Sequence, residues 1–244
     1  MLTTLLNWSE DVFVAQERYA PLVRRDPDAL RPALFEHGRL HDFRPRECGY
    51  ESFASKREYS NSLSNPKNFE ALGGYRVIGD KITHLFRRFD RFDAPEWAAE
   101  DVTVVHVVRN VHDVVASYLA RKRDARDLWD WDEEDAIRDW TDSVRHAHAF
   151  HRDRSRAVTL FLVDYDWMTR GDEQRFVGCA ARLFGLLQLG FGEKERDGAT
   201  GLIRSYQMIP RKPPLAAEIR ERVDRAIDGD TLAKYEELRS WSIR

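Results

Sequence analysis

Val102–Val108 constrains the fold more than any other stretch of the chain: six β-branched residues in seven, broken only by His106. A run apolar on both faces suits a strand covered on both sides, and such strands belong to parallel sheets with helical crossovers. Val12–Val14, Tyr75–Ile78 (ended by Gly79-Asp80) and Thr159–Val163 read the same way. Between them lie helical patterns. Val111–Arg121 gathers Val114, Val115, Tyr118 and Leu119 on one side, Asp132–Arg152 repeats apolar residues at three- and four-residue steps, and Phe176–Leu187 runs into Gly190 and Gly192. Strand–helix alternation predicts an α/β fold, a parallel sheet flanked by helices, with ligands at the carboxyl ends of the strands. Residues 19–74 read as an irregular cap on the acceptor side and 213–244 as a helical tail split near Gly229-Asp230, all within one domain spanning 1–244.

Composition removes several functional classes. No apolar run approaches the roughly 18 residues of a membrane span, and no charged-then-apolar leader opens the sequence. Lys and Arg number 39 against 42 Asp and Glu, a net charge of −3, which argues against a nucleic-acid coat and leaves room for local basic pockets. Cys48 and Cys179 are far apart and form no metal or disulfide pattern. These features predict a cytoplasmic globular protein with no nucleic-acid or membrane partner and no metal; oligomeric state is not legible.

The chemistry-bearing stretch follows the strongest strand: Arg109-Asn110-Val111-His112-Asp113-Val114-Val115-Ala116-Ser117. Asn110 can cap the next helix, with Asp113 as a box-like partner. A guanidinium fork at the strand end and a hydroxyl two turns into the helix would together suit a phosphate. The same residues also fit an arginine paired with a sheet-edge carboxylate and a serine buried in a helix.

A strand, then Arg-Asn-x-x-Asp, then a serine eight positions after the arginine resembles the 3′-phosphate-binding motif of the sulfotransferase family. Its members transfer a sulfuryl group from 3′-phosphoadenosine 5′-phosphosulfate (PAPS). Val111 stands where proline is usual, which removes no ligand-binding atom. Three further pieces fall in the family's order. Val77-Ile78-Gly79-Asp80-Lys81 resembles the element whose lysine lies against the transferring group. Leu162–Met168 is similar to the strand ending in Tyr-Glu-x-Leu, with Leu183-Phe184-Gly185 at the end of the following helix. Leu5–Glu17 looks like the segment after the phosphate loop, which in tyrosylprotein and heparan members leads to a glutamate base.

The resemblance implies a P-loop-type α/β fold in which Arg109 and Ser117 hold the 3′-phosphate of PAPS, while Lys81 and Glu17 are catalytic, Lys81 at the sulfuryl group and Glu17 as base. The acceptor would be a small molecule or carbohydrate offering a hydroxyl or amine. In the family a first strand and a Ser-Gly-Thr-type loop precede this pattern, so the sequence reads as apparently lacking both. Two alternatives stay open: a non-catalytic nucleotide-binding or interaction module that keeps the 3′-phosphate pocket, and a kinase relative using ATP. Against the kinase stands the want of a 3′-phosphate on ATP for Arg109 to hold. From the residues alone, Glu17 could equally pair with Arg18 or Arg24, and Lys81 could be a solvated loop lysine.

Other features carry less. The acidic, tryptophan-rich Asp127–Asp135 reads as a helix start, or as the wall of an acceptor pocket. His146, His148 and His151 do not share one helix face as metal ligands would. Arg121–Arg123, Arg152, Arg154, Arg156 and Arg211-Lys212 are ordinary basic positions that could border an anionic donor.

Overall fold

The computed structural model describes residues 1–17, 19–36, 74–124, 130–153, 155–209 and 213–243. Four short strands pair in parallel, two by two: β1 (Val12–Gln16) with β2 (Val77–Lys81), and β3 (Thr103–Val108) with β4 (Thr159–Asp164). Val12 stands opposite Val77 and Thr103 opposite Thr159. Around them lie α1 (Leu2–Leu6), α2 (Ala20–Arg25), α3 (Val111–Arg123), α4 (Glu133–Arg152), α5 (Tyr165–Arg170), α6 (Glu173–Leu186), α7 (Glu193–Met208), α8 (Ala217–Ala226) and α9 (Gly229–Trp241). The architecture is α/β. No helix among the described residues is long and apolar enough to cross a membrane.

The alternation of side chains along β3 and β4 explains why both of their faces are covered. Val104, Val108, Leu160 and Leu162 join a core built with α3, α4 and α9. Val105 and Val163 point the other way, into a second core with α1, α6 and α7 that also takes Val12, Val14 and Val77. Helices therefore sandwich the strands, as a two-faced apolar run demands. At the start of α4, Asp132 accepts from the Glu134 and Asp135 N–H groups while the Asp135 carboxylate accepts from the Asp132 N–H. That capping box accounts for much of the acidic stretch before α4.

The outer edges of the two strand pairs are closed by single residues. Asn7 donates its Nδ2 to the Val14 carbonyl at 2.8 Å and accepts the Val14 N–H at 2.7 Å, standing in for a strand beside β1. On β4, the Ile243 N–H reaches the Leu162 carbonyl at 2.8 Å. The other edge of β3 is open. Because the Thr159 N–H bonds the Val102 carbonyl, the even-numbered residues of β3 face β4. Thr103, Val105 and Val107 therefore turn their amide groups away, and no hydrogen bond among the described residues meets them there. Unpaired edge amides of this kind are what sheets ordinarily cover.

Several sequence expectations are corrected. β2 does not stop at Gly79-Asp80 but runs through both to Lys81, because pairing with β1 extends to Gln16. The box expected between Asn110 and Asp113 does not form. Asn110 Oδ1 caps the His112 N–H, while Asp113 pairs with Arg170. The helix α7 has weak periodicity and two glycines, one of them essential. A Cβ on Gly198 would lie 2.6 Å from the Trp8 indole, so only glycine lets that ring pack on the helix. Within the expected 19–74 cap, the described part is α2 followed by single 3₁₀ turns at Pro27–Ala29 and Pro32–Phe35. Cys48, Arg154 and Arg211-Lys212 lie outside the described residues.

Candidate functional site

The carboxyl ends of the strands carry the chemistry. Glu17 follows β1 and Lys81 ends β2, and the two side chains pair at 2.6 Å. The Glu17 N–H also donates to the Lys81 carbonyl at 2.9 Å, so backbone and side chain tie the same two residues together. Glu17 sits at φ 57°, in the left-handed region that a residue with a Cβ seldom occupies. Three residues past Lys81, His84 does the same at φ 60°. Two of the three non-glycine residues with positive φ among those described thus stand at this one end of the strands. Strain of this kind persists where surrounding contacts enforce it and gathers at functional sites.

Arg109 follows β3. Its guanidinium carbon lies 5.0 Å from the centre of the Tyr165 ring, a cation–π contact with the first residue of α5. Its Nε is buried and meets no acceptor, and no hydrogen bond or salt bridge ties its guanidinium to another described residue. The turn that carries it is held from both sides. The Arg109 carbonyl accepts from Trp140 Nε1 at 2.8 Å, and the Asn110 N–H donates to Asp166 Oδ2 at 2.7 Å. The sequence pieces Arg109-Asn110 and Tyr165-Asp166, separated by more than fifty positions, meet here. A half-buried arginine with donors left over is a binding surface for an oxyanion. Asp166 works against that. Burial raises its carboxyl above the usual range, opposed by the Asn110 N–H, and Asp113 raises it further.

Arg109 forms part of the wall of a cavity of about 160 Å³ between β3, α3 and α4. Its apolar surface includes Phe86, Val107, Trp140, Val144 and Leu238, and its polar groups are His84, His106, Tyr118, Asp139 and Ser143. Asp139, 3% exposed, organises one side. It accepts from the Tyr118 hydroxyl at 2.8 Å, lies 3.2 Å from His84 Nε2 and is neutralised by Arg87. Burial pushes the His84 imidazole below its usual value, with Asp139 opposing and Arg87 adding to the shift. The Tyr118 hydroxyl is pushed up by burial and by its bond to Asp139. Deeper in, His106 sits 3.2 Å from the Ser143 hydroxyl and edge-on to Phe89, and burial lowers its pKa to about 4. Trp131 closes the His84 side, its ring stacked on the imidazole at 5.0 Å and edge-on to Tyr118 at 6.0 Å.

Of the expected site residues, Glu17 and Lys81 are brought together, and the Glu17 charge is felt by His84. Arg109 shares the cavity with His84. Ser117 is not brought in: it is half-buried on α3, whose contributions to the cavity are Val114 and Tyr118. Sequence reasoning missed His84, Asp139 and Tyr118. Each is a single polar residue in an unremarkable local context, and only the packing of α3 on α4, and of α4 on the turns that follow His84, assembles them.

The remaining polar clusters serve the fold. Arg156 bonds the Phe89 carbonyl and Asp153. His148 pairs with Glu237 at 2.9 Å and stacks on Trp241, as His151 also does. No group of His, Cys, Asp and Glu among the described residues is arranged to hold a metal. Cys179 is a buried free thiol that burial raises to about 11, which leaves it unreactive. No family model, curated protein or solved structure matches the chain.

Proposed function

We propose that this chain is a sulfotransferase domain, moving a sulfuryl group from PAPS to a hydroxyl or amine of an acceptor. The observation that carries this reading is Arg109: a half-buried guanidinium at the end of the most apolar strand, its Nε buried and hydrogen-bonded to none of the described residues, laid on Tyr165 and opening on the cavity that holds the His84–Asp139 pair. Arg109 would bind the 3′-phosphate, and Lys81 would set a cation beside the transferring group and the departing phosphate oxygen. In the transfer, the acceptor oxygen or nitrogen gains a bond to sulfur. The bond from sulfur to the 5′-phosphate oxygen breaks with its electron pair, and the acceptor proton passes to a base. Glu17 is already committed to Lys81, which suits it to holding the lysine. The neutral imidazole of His84, oriented by Asp139, is the better-placed base.

For the fold we propose a P-loop-type sheet in which a further parallel strand runs between β2 and β3. What supports it is the open edge of β3 beside two strand pairs that share one core. The resemblance puts such a strand and its phosphate loop before the Leu5–Glu17 segment. A binding module that keeps the 3′-phosphate pocket without transfer is the second reading, favoured by the pairing of Glu17 with Lys81, which occupies the two expected catalytic side chains with each other.

Thermal denaturation with adenosine 3′,5′-bisphosphate and with ATP tests the donor reading. The bisphosphate should raise the melting temperature more than ATP does, and a larger rise with ATP would overturn it. Release of the bisphosphate from PAPS in the presence of acceptor then separates transferase from binding module.

A further inference from the structure

We propose that the space between β2 and β3 is a docking slot for an extended, β-branched segment of a second polypeptide, which joins in parallel and carries an acidic residue at its carboxyl end. The proposal rests on the single-sheet reading above and not on sulfuryl transfer. Both margins of the slot offer backbone. On β3 the amide groups of Thr103, Val105 and Val107 face it without a partner among the described residues. On β2 the Val77 N–H is bonded to the Asp11 carbonyl on the β1 side, so the N–H and carbonyl of Ile78 point the other way. No hydrogen bond among the described residues meets them either. A strand between two such edges gains ladder bonds on both sides, the means by which sheets capture extended peptides.

Side chains and charge define the occupant. Val77 and Val105 pack toward the core with α1, α6 and α7, and Ile78 toward Phe13 and Tyr75. Val77, Ile78 and Val105 are only half-buried and Val107 is 38% exposed, so apolar surface on both margins is left to cover. A segment apolar at every position fits, about as long as the six residues of β3. Its direction is set by the carboxyl ends of β2 and β3, which open on one cavity through His84 and Arg109. Lys81 and Arg109 stand at those ends. Glu17 answers Lys81, while Arg109 has no salt bridge among the described residues, so a carboxylate is drawn there and a cation repelled. The 244 residues hold no such segment in reserve. Their strand-like runs are β1–β4, and residues 37–73 contain no Val, Ile or Thr.

The test uses the full chain and the peptide acetyl-Lys-Lys-Val-Thr-Val-Ile-Val-Val-Asp-amide, with its lysines at the amino end for solubility. At saturation, hydrogen exchange followed by NMR should slow about tenfold or more at Thr103, Val105, Val107 and Ile78. A copy N-methylated at every second strand residue lacks the donors of one edge and should bind about tenfold more weakly or worse. A copy ending in Lys in place of Asp should also bind more weakly. Val107→Pro removes one slot-facing N–H on an open edge, where proline is tolerated, and should weaken the peptide as much as N-methylation does. The N-methylated copy serves if that variant does not fold. Unslowed exchange with the peptide, or equal binding by the N-methylated copy, would overturn the docking, and equal binding by the Lys copy would overturn its acidic end. Amides on β3 already slow in the free protein would also overturn it, the slot then being filled by its own chain or a second copy, and would leave the sheet reading standing. Slowing on β3 without slowing at Ile78 would keep the docking and remove the single-sheet reading.

Discussion

Replacing Arg109 by alanine separates a binding role from a structural one, because the guanidinium contributes so little to the fold. Its closest partner among the described residues is the Tyr165 ring, a cation–π interaction worth about 0.5–2 kcal/mol. Against that loss, the substitution relieves a buried Nε that has no acceptor, a defect costing about 1–3 kcal/mol. The net change in stability should therefore stay within about 1 kcal/mol. A charged hydrogen bond to a phosphate is worth about 1.5–3 kcal/mol, so affinity for adenosine 3′,5′-bisphosphate should fall about 10- to 150-fold. Urea denaturation measures the first quantity and calorimetric titration at fixed ionic strength the second. Arg109→Lys, which keeps the charge and loses the fork, should fall between wild type and alanine. An unchanged affinity, or a stability loss above about 2 kcal/mol, would refute the assignment and return Arg109 to the core.

Two further outcomes follow from the same geometry. The folded pKa of His106, about 4, lies below that of a free histidine, so the unfolded chain binds more protons in between and stability is lost as pH falls. Between pH 7 and pH 5 the loss from this residue should be about 2 kcal/mol. His106→Gln, which cannot titrate, should reduce the acid sensitivity of the urea midpoint by that amount, and an identical pH dependence would disprove the burial. Asn7→Ala strands the N–H and carbonyl of Val14 on the edge of β1 and should cost about 1–3 kcal/mol. Hydrogen exchange at the Val14 amide should then accelerate well beyond the neighbouring strand amides, and unaltered protection would show that the edge is covered some other way.

Local chemistry made much of the architecture legible. β-Branched runs apolar on both faces have to be covered on both sides, so Val102–Val108 and Thr159–Val163 mark parallel strands between helices along the chain itself. Asn110 stood out as a cap because its side chain satisfies an N–H group only two residues away. The end of β2 was not legible, since Gly79-Asp80 reads as a stop in isolation and becomes strand only through its partner β1. The same holds at the site. Arg109 and Lys81 could be singled out because strand ends are recognisable along the chain. That Glu17 would be spent on Lys81 depends on the register of β1 against β2, and that Arg109 would lie on Tyr165 and Ser117 fall outside the cavity lining depends on how the helices pack against the strands. His84, Tyr118 and Asp139 become one cluster only when segments tens of residues apart share one pocket. There each polar group must find a partner, and no pattern along the chain records which partner that is.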